Sequence, residues 1–170
     1  MIGLILCGGL GTRLKDETVD KPKCMVEVGG KPVLERISDY MSKNNISRIV
    51  VNLHKFPEVV MKHFGQRFLY MYEPVPMGEF ATISLVKSWF PNEPLLVMNG
   101  DTLTDLDLNS VDLERYDACR FVSSTTNRHM GTSFYPAGPM PRETNKQLVD
   151  CEYFDIGLPD KLTEVRKKYE

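Results

Sequence analysis

An apolar run from Ile2 to Leu6 stops where Gly8 and Gly9 let the backbone turn, and strand-like and helical patterns alternate from there to about residue 110. That alternation predicts an α/β layer fold with a largely parallel sheet. The spacing predicts a helix from Val33 to about Lys43, a strand from Arg48 to Leu53, a short helix from about Pro57 to Phe64 and a strand from Phe68 to Tyr72. A helix over Met77 to Trp89 follows, and then a buried strand, Pro94 to Met98, that runs into Asn99-Gly100-Asp101. Ala118 to Ser123 reads as a further strand and Lys161 to Tyr169 as a closing helix. Pro136 to Lys146, with three prolines, one glycine and almost no apolar residues, reads as an exposed loop.

A chain of 170 residues at 42% hydrophobic content can bury one core and leaves little for a second, so residues 1–170 are expected to form a single domain. A formal net charge of −2 and the absence of a long basic run speak against a nucleic-acid or membrane surface. Cys7, Cys24, Cys119 and Cys151 lack C-x-x-C spacing, which argues against zinc. No apolar signal stretch precedes the first strand, so the expected compartment is the reducing cytoplasm.

The turn after the first strand, Gly8-Gly9-Leu10-Gly11-Thr12-Arg13-Leu14, is followed by Lys21-Pro22-Lys23. Exposed N–H groups in such a turn form a nest for anions, and the three cations beside it suit a polyphosphate. A P-loop would need Gly-Lys-Ser/Thr opening a helix, whereas Gly30-Lys31 runs into Pro32. A dinucleotide fingerprint would need a third glycine where Leu14 stands, and an acidic residue at the end of the second strand, where Asn52 stands. Moreover, Lys15-Asp16-Glu17-Thr18 is not expected to begin a helix. The competing reading is a glycine-rich surface turn that happens to carry Arg13.

Asp101 follows Leu95-Leu96-Val97-Met98 and so lies at the carboxyl end of a strand, where open α/β sheets bind ligands. A carboxylate beside about four phosphate charges makes sense with a divalent cation between them, and Mg²⁺ typically takes one or two carboxylates plus phosphate oxygens. The alternative is an aspartate that caps the turn after the strand. His54, His63 and His129 form no ligand or triad spacing.

Leu6-Cys7-Gly8-Gly9-Leu10-Gly11-Thr12-Arg13-Leu14, Lys21-Pro22-Lys23-Cys24-Met25 and Gly29-Gly30-Lys31-Pro32-Val33-Leu34-Glu35 together resemble the sugar-phosphate nucleotidyltransferases, or nucleotide-sugar pyrophosphorylases. Asp16 to Pro32 looks most like glucose-1-phosphate cytidylyltransferase. Val51-Asn52-Leu53-His54 and Val97 to Asp105 look more like the mannose- and heptose-1-phosphate guanylyltransferases. The resemblance implies a three-layer α/β/α, Rossmann-like fold with a largely parallel mixed sheet, a nucleotide-binding core over 1–110 and a shortened acceptor-side region over 111–170, with its loop at 136–146. It implies transfer of a nucleotidyl group from a nucleoside triphosphate to a sugar 1-phosphate, with pyrophosphate released and Mg²⁺ required.

By the same resemblance, Leu6, Gly8, Gly9, Gly11, Thr12, Arg13, Lys23, Glu73, Gly78 and Asp101 bind nucleotide, and Arg13 and Lys23 are catalytic. Asp155, in Asp155-Ile156-Gly157-Leu158-Pro159-Asp160, joins Asp101 as a Mg²⁺ ligand, although a helix entry also accounts for this segment. Glu79 and Phe80 are bulkier than the residues usual after Gly78, and an ordinary helix start explains them equally. The family's Glu-Lys element and its Asn-x-Gly-x-Tyr strand are absent, so Lys146, Arg142 or Arg128 would have to hold the acceptor phosphate. Two further readings stay open, namely a shortened homologue that binds nucleotide as a regulatory or partner subunit, and transfer to a non-sugar phosphoester such as phosphocholine. Exposed apolar residues in the C-terminal third would support a homo-oligomer.

Overall fold

The computed structural model describes residues 1–113 and 117–170. Strand β1 (Ile2–Leu6) leads through 3-10 turns at Thr12–Thr18 and Lys23–Met25 to a small antiparallel pair, β2 (Glu27–Val28) and β3 (Lys31–Pro32). Helix α1 (Val33–Lys43), β4 (Ile49–Leu53), α2 (Pro57–Phe64), β5 (Leu69–Tyr72), α3 (Glu79–Trp89) and β6 (Leu95–Asn99) follow. Beyond residue 100 come β7 (Thr102–Thr104), β8 (Cys119–Ser123), β9 (His129–Tyr135), β10 (Asn145–Val149), β11 (Tyr153–Asp155) and α4 (Pro159–Tyr169).

The main sheet has the order β10-β8-β9-β6-β1-β4-β5. β1 pairs in parallel with β4 on one side and β6 on the other, β5 adds in parallel to β4, and β9 alone runs antiparallel, between β6 and β8. Along the chain the strands step outward from β1 to β4 and β5, then return past β1 to β6. The order therefore reverses between β1 and β6, and a crevice opens at their carboxyl ends, where Leu6 is paired with Asn99.

The alternation of side chains in β1 explains the layers. Ile2 and Leu4 pack with Ile83 and Val86 of α3 on one face, while Ile5 packs with Leu34 and Ile37 of α1, Val60 of α2 and Leu162 of α4 on the other. The arrangement is the expected three-layer one. Gly3 sits where a Cβ would come within 2.6 Å of Met41 Sδ, so its missing side chain lets α1 close on the sheet.

The strands and helices expected before residue 100 lie within two residues of their expected bounds, while the short strands β2, β3, β7 and β11 have no counterpart in the sequence expectation. Other features differ from it. The Thr12–Thr18 segment does wind into 3-10 turns, broken at Lys15, whose φ of 42° and ψ of −105° interrupt them. The expected loop at 136–146 ends early, because Asn145 and Lys146 already pair with Cys119 and Arg120 of β8. β9 was not anticipated: Thr132 and Ser133 look polar in sequence yet are buried between β6 and β8, with the backbone hydrogen bonds of the sheet satisfying the chain there. Among the described residues, large exposed apolar side chains gather around Tyr72, Val75, Phe80, Leu85 and Trp89 more than in the C-terminal third, where Leu148 and Leu158 are exposed.

Candidate active site

The crevice at the switch between β1 and β6 holds two adjoining clefts that share Gly9. One, of about 270 Å³, is lined by the glycine turn from Gly9 to Leu14 and by Lys23, Asp101 and Gly157. The other, of about 310 Å³, lies between Leu6, Gly8, Asn52, Glu73, Gly78 and Asn99.

The turn is held open by backbone geometry and a side-chain ladder. Gly11 takes a φ of 67°, in the left-handed region where a side chain is strained. The Cys7 N–H donates to Asn52 Oδ1 at 2.7 Å, and Asn52 Nδ2 donates to Glu73 Oε1 at 3.0 Å. The Thr82 hydroxyl donates to the same Glu73 oxygen at 2.6 Å, while the Met77 N–H donates to Oε2 at 3.1 Å. One buried carboxylate thus ties together the ends of β1, β4 and β5 and the first turn of α3. Gly8 must lack a side chain, since a Cβ there would stand 2.5 Å from Asn52 Nδ2. Glu73, read from sequence as a nucleotide contact, is 3% exposed, and both its carboxylate oxygens accept bonds from the protein itself. Asn52 and Thr82 were missed as site residues because an amide at a strand end and a threonine inside a helix carry no local signature.

The charged half of the site is assembled from three distant segments. Lys23 is set by the 3-10 turn after Pro22, and its ammonium donates to Asp101 Oδ2. Asp101 Oδ1 accepts from the Thr102 hydroxyl at 3.0 Å. Asp155 arrives because β11 pairs antiparallel with β7, which sets Asp155 opposite Thr102, and the Ile156 N–H donates to the Asp101 carbonyl at 3.0 Å. Asp155 Oδ1 then lies 3.9 Å from Lys23 Nζ and accepts from the Gly157 N–H at 2.6 Å. Both carboxylates therefore face one cation. Neither the turn-cap reading of Asp101 nor the helix-entry reading of Asp155 would require that meeting.

The donor set fits Mg²⁺. Two carboxylates converge, and Asp155 is 57% exposed, so phosphate oxygens and water have access to complete the shell. Among the described residues no three or more His, Cys, Asp or Glu side chains cluster, so a cage built wholly of protein ligands does not arise there. Arg13 and Thr12 are exposed, with Arg13 lining the same cleft, and Gly78 opens α3 with a φ of 86°.

Gly157 was passed over in sequence except as part of its motif. A Cβ there would come within 2.6 Å of Asp155 Oδ1 and 2.9 Å of Lys23 Nζ. Gly157→Ala is therefore expected to push the two charges apart and to slow turnover roughly 10- to 100-fold, as small misplacements at reacting groups do. Steady-state pyrophosphate release, with circular dichroism to confirm folding, checks it.

The three cations weighed for the acceptor phosphate are separated by the topology. Lys146 pairs with Arg120 of β8, which is opposite Ser133 of β9, which is opposite Val97 of β6. It thus lies three strands out, roughly 14 Å at the usual strand spacing, and level with the middle of β6. Arg142 belongs to the loop whose Gly138 N–H donates to the Pro91 carbonyl, before β6 begins. Arg128 alone of the three stands at the carboxyl end of β6, because β9 enters the sheet there, with Thr132 opposite Met98. The preceding turn touches β11 through Thr126 Oγ1 and the Tyr153 hydroxyl, 3.3 Å apart.

The histidines take local roles: His54 Nδ1 lies 2.8 Å from the Glu73 carbonyl, His63 is 3.8 Å from Glu35, and His129 sits against the Thr132 carbonyl. The four cysteines are free, and burial pushes the Cys7 thiol well above its ordinary pKa.

A largely parallel sheet with a cleft open at its switch point, and with a glycine turn, a lysine and two carboxylates gathered there, is the architecture of a nucleotide-handling α/β protein. The chain belongs to the MobA-like NTP transferase domain family, whose model matches residues 3–134. It is 37% identical over 124 residues to D-glycero-alpha-D-manno-heptose 1-phosphate guanylyltransferase of Campylobacter jejuni, a match covering 70% of this chain and 56% of that one. It is 44% identical over 71 residues to glucose-1-phosphate cytidylyltransferase of Salmonella typhimurium, covering 42% and 28%. The chain thus spans little more than half of the first curated relative and under a third of the second. Among solved structures, HddC from Yersinia pseudotuberculosis complexed with GMP-PN shares the fold, with a TM-score of 0.79 over 99% of both chains at 21% identity.

Proposed function

We propose that this chain transfers a nucleotidyl group from a nucleoside triphosphate to a sugar 1-phosphate, releasing pyrophosphate and leaving a nucleotide sugar, with Mg²⁺ required. The observation that carries the reading is the meeting of Lys23, Asp101 and Asp155 beside the glycine turn. The names of the matched relatives support the acceptor class, and the Yersinia neighbour, itself complexed with GMP-PN, supports a nucleotide as the ligand of this fold. Four free thiols support a reducing compartment, the cytoplasm, and among the described residues no helix is long and apolar enough to cross a membrane.

The triphosphate lies along the turn from Gly8 to Arg13, with its base and ribose in the cleft between Gly8, Asn52 and Gly78. A phosphate monoester has a second pKa near about 6, so the acceptor is already ionised at neutral pH and needs no strong base. Its oxygen forms a bond to the α-phosphorus as the bond to the β-phosphate oxygen breaks and pyrophosphate departs. The protein supplies in-line positioning and charge neutralisation, the terms that dominate this kind of transfer. Arg13 neutralises the β- and γ-phosphates, and Lys23 neutralises the α-phosphoryl and the approaching acceptor. When bound by Asp101 and Asp155, Mg²⁺ supplies further charge stabilisation on the phosphate oxygens.

Arg128, at the site end of the sheet, is the cation best located to meet the acceptor phosphate. Arg128→Ala is expected to raise KM for the sugar 1-phosphate about tenfold or more, the loss of one charge-assisted bond, while nucleotide affinity holds. Initial rates over an acceptor titration at saturating nucleotide check this. The proposal as a whole is tested by pyrophosphate release from pooled nucleoside triphosphates and pooled sugar 1-phosphates with Mg²⁺, using Asp101→Asn protein as the blank. Release above that blank supports it, and release with phosphocholine in place of the sugars would redirect the acceptor. Metal-dependent nucleotide binding with no release from either pool would instead identify a nucleotide-binding subunit.

A further inference from the structure

Lys23 faces inward, with its side chain 14% exposed, and its ammonium is shared by the two carboxylates proposed as metal ligands. Thr102 occupies one oxygen of Asp101 and leaves the other to the lysine, while the Gly157 N–H fixes the Asp155 oxygen that faces Nζ. The bare Cα of Gly157 makes room for this arrangement. Two carboxylates brought this close repel unless a cation stands between them. In the ligand-free chain that cation is the lysine.

We propose that Lys23 is the resident counter-ion of the metal site: its ammonium holds Asp101 and Asp155 together until a triphosphate draws it away, and only then does the divalent cation enter with full affinity. The inference rests on the nucleotidyltransferase reading for the identity of the two ligands, and it deepens that reading by making metal and nucleotide binding cooperative. An ammonium and a divalent cation compete for the same carboxylates. Without nucleotide, entry of the metal leaves Lys23 beside a second cation and without its carboxylate bonds. With nucleotide, the lysine exchanges carboxylates for phosphate oxygens, and Arg13, lining the same cleft, neutralises the remaining phosphate charge. The difference between those two situations is a coupling free energy, which by linkage acts equally on both ligands.

The test is Mn²⁺ binding, by calorimetry or electron paramagnetic resonance, to the full chain with no nucleotide present. Lys23→Met is expected to bind Mn²⁺ about tenfold or more tighter than the wild type, within the usual range for coupled sites. Lys23→Arg, which keeps the charge, is expected to stay as weak as the wild type. Equal or weaker binding by Lys23→Met, or no Mn²⁺ binding to either protein, would overturn the proposal. Thermal melting gives a second readout that survives poor folding of the variant. The melting temperature of Lys23→Met should fall in metal-free buffer and recover with millimolar Mg²⁺, while that of the wild type barely moves. An equal response of the two proteins to Mg²⁺ would sink the idea. Both readouts omit nucleotide, so failure of the wild type to release pyrophosphate, which would defeat the nucleotidyltransferase reading, is a separate result.

Discussion

Asp101→Asn is expected to lower pyrophosphate release by about a thousandfold or more, with a melting temperature close to that of the wild type. The amide is nearly isosteric and can still accept from the Thr102 hydroxyl, so the turn after β6 keeps its hydrogen bond. What it lacks is the charge that pairs with Lys23 and that, in the proposed mechanism, holds a divalent cation together with Asp155. Asp101 stands at the carboxyl end of β6, beside the glycine turn that follows β1, so on the proposed reading its loss affects turnover without disturbing the core. Circular dichroism, a thermal melt and a pyrophosphate assay on one preparation suffice. Retention of most of the activity would remove Asp101 from the machinery.

Glu73→Ala is expected to be the opposite kind of variant, destabilising the fold by about 3–5 kcal/mol because it removes a buried carboxylate that accepts from three donors. The Asn52 amide, the Thr82 hydroxyl and the Met77 N–H would each lose their acceptor. For a chain of this size that corresponds to a melting temperature lower by roughly 6–20 °C. Glu73→Gln keeps one carbonyl oxygen and is expected to fall between. Nucleotide affinity should drop with stability in the alanine variant, since the Cys7 N–H, where the glycine turn begins, is held through Asn52. Unchanged melting with weakened nucleotide binding would show instead that the carboxylate acts on the ligand.

Much of the N-terminal half, up to β6, was legible because its signals are local. Ile2 to Leu6 is apolar on both sides because β1 is central, and of the glycines that follow, Gly8 is needed for a close approach and Gly11 for its positive φ. The helices α1, α2 and α3 announce themselves by apolar spacing, and α1 carries Glu35 in its first turn and Lys43 in its last, in accord with the helix dipole. The second half was far less legible. β9 is buried along nearly its whole length, so short polar residues serve there without an apolar run, and β10 is an edge strand that opens on three polar residues, Asn145, Lys146 and Gln147. Glu73 was visible as a carboxylate at a strand end, but its inward direction depends on Asn52 and Thr82, which come from β4 and α3.

The sequence by itself determined the alternating α/β order, the position of the glycine turn and the identity of the charged residues, because these rest on backbone preferences and on side-chain periodicity within single segments. Only the tertiary structure decided that Lys23, Asp101 and Asp155 meet at one point, and that of Arg128, Arg142 and Lys146 the first alone stands at the site's end of the sheet. The pairing of β11 with β7 joins residues about fifty positions apart, and the antiparallel entry of β9 sets which of the three cations lies at the carboxyl end of β6. Such pairings are chosen by the burial and backbone hydrogen bonding of the whole sheet, a choice that no single segment records.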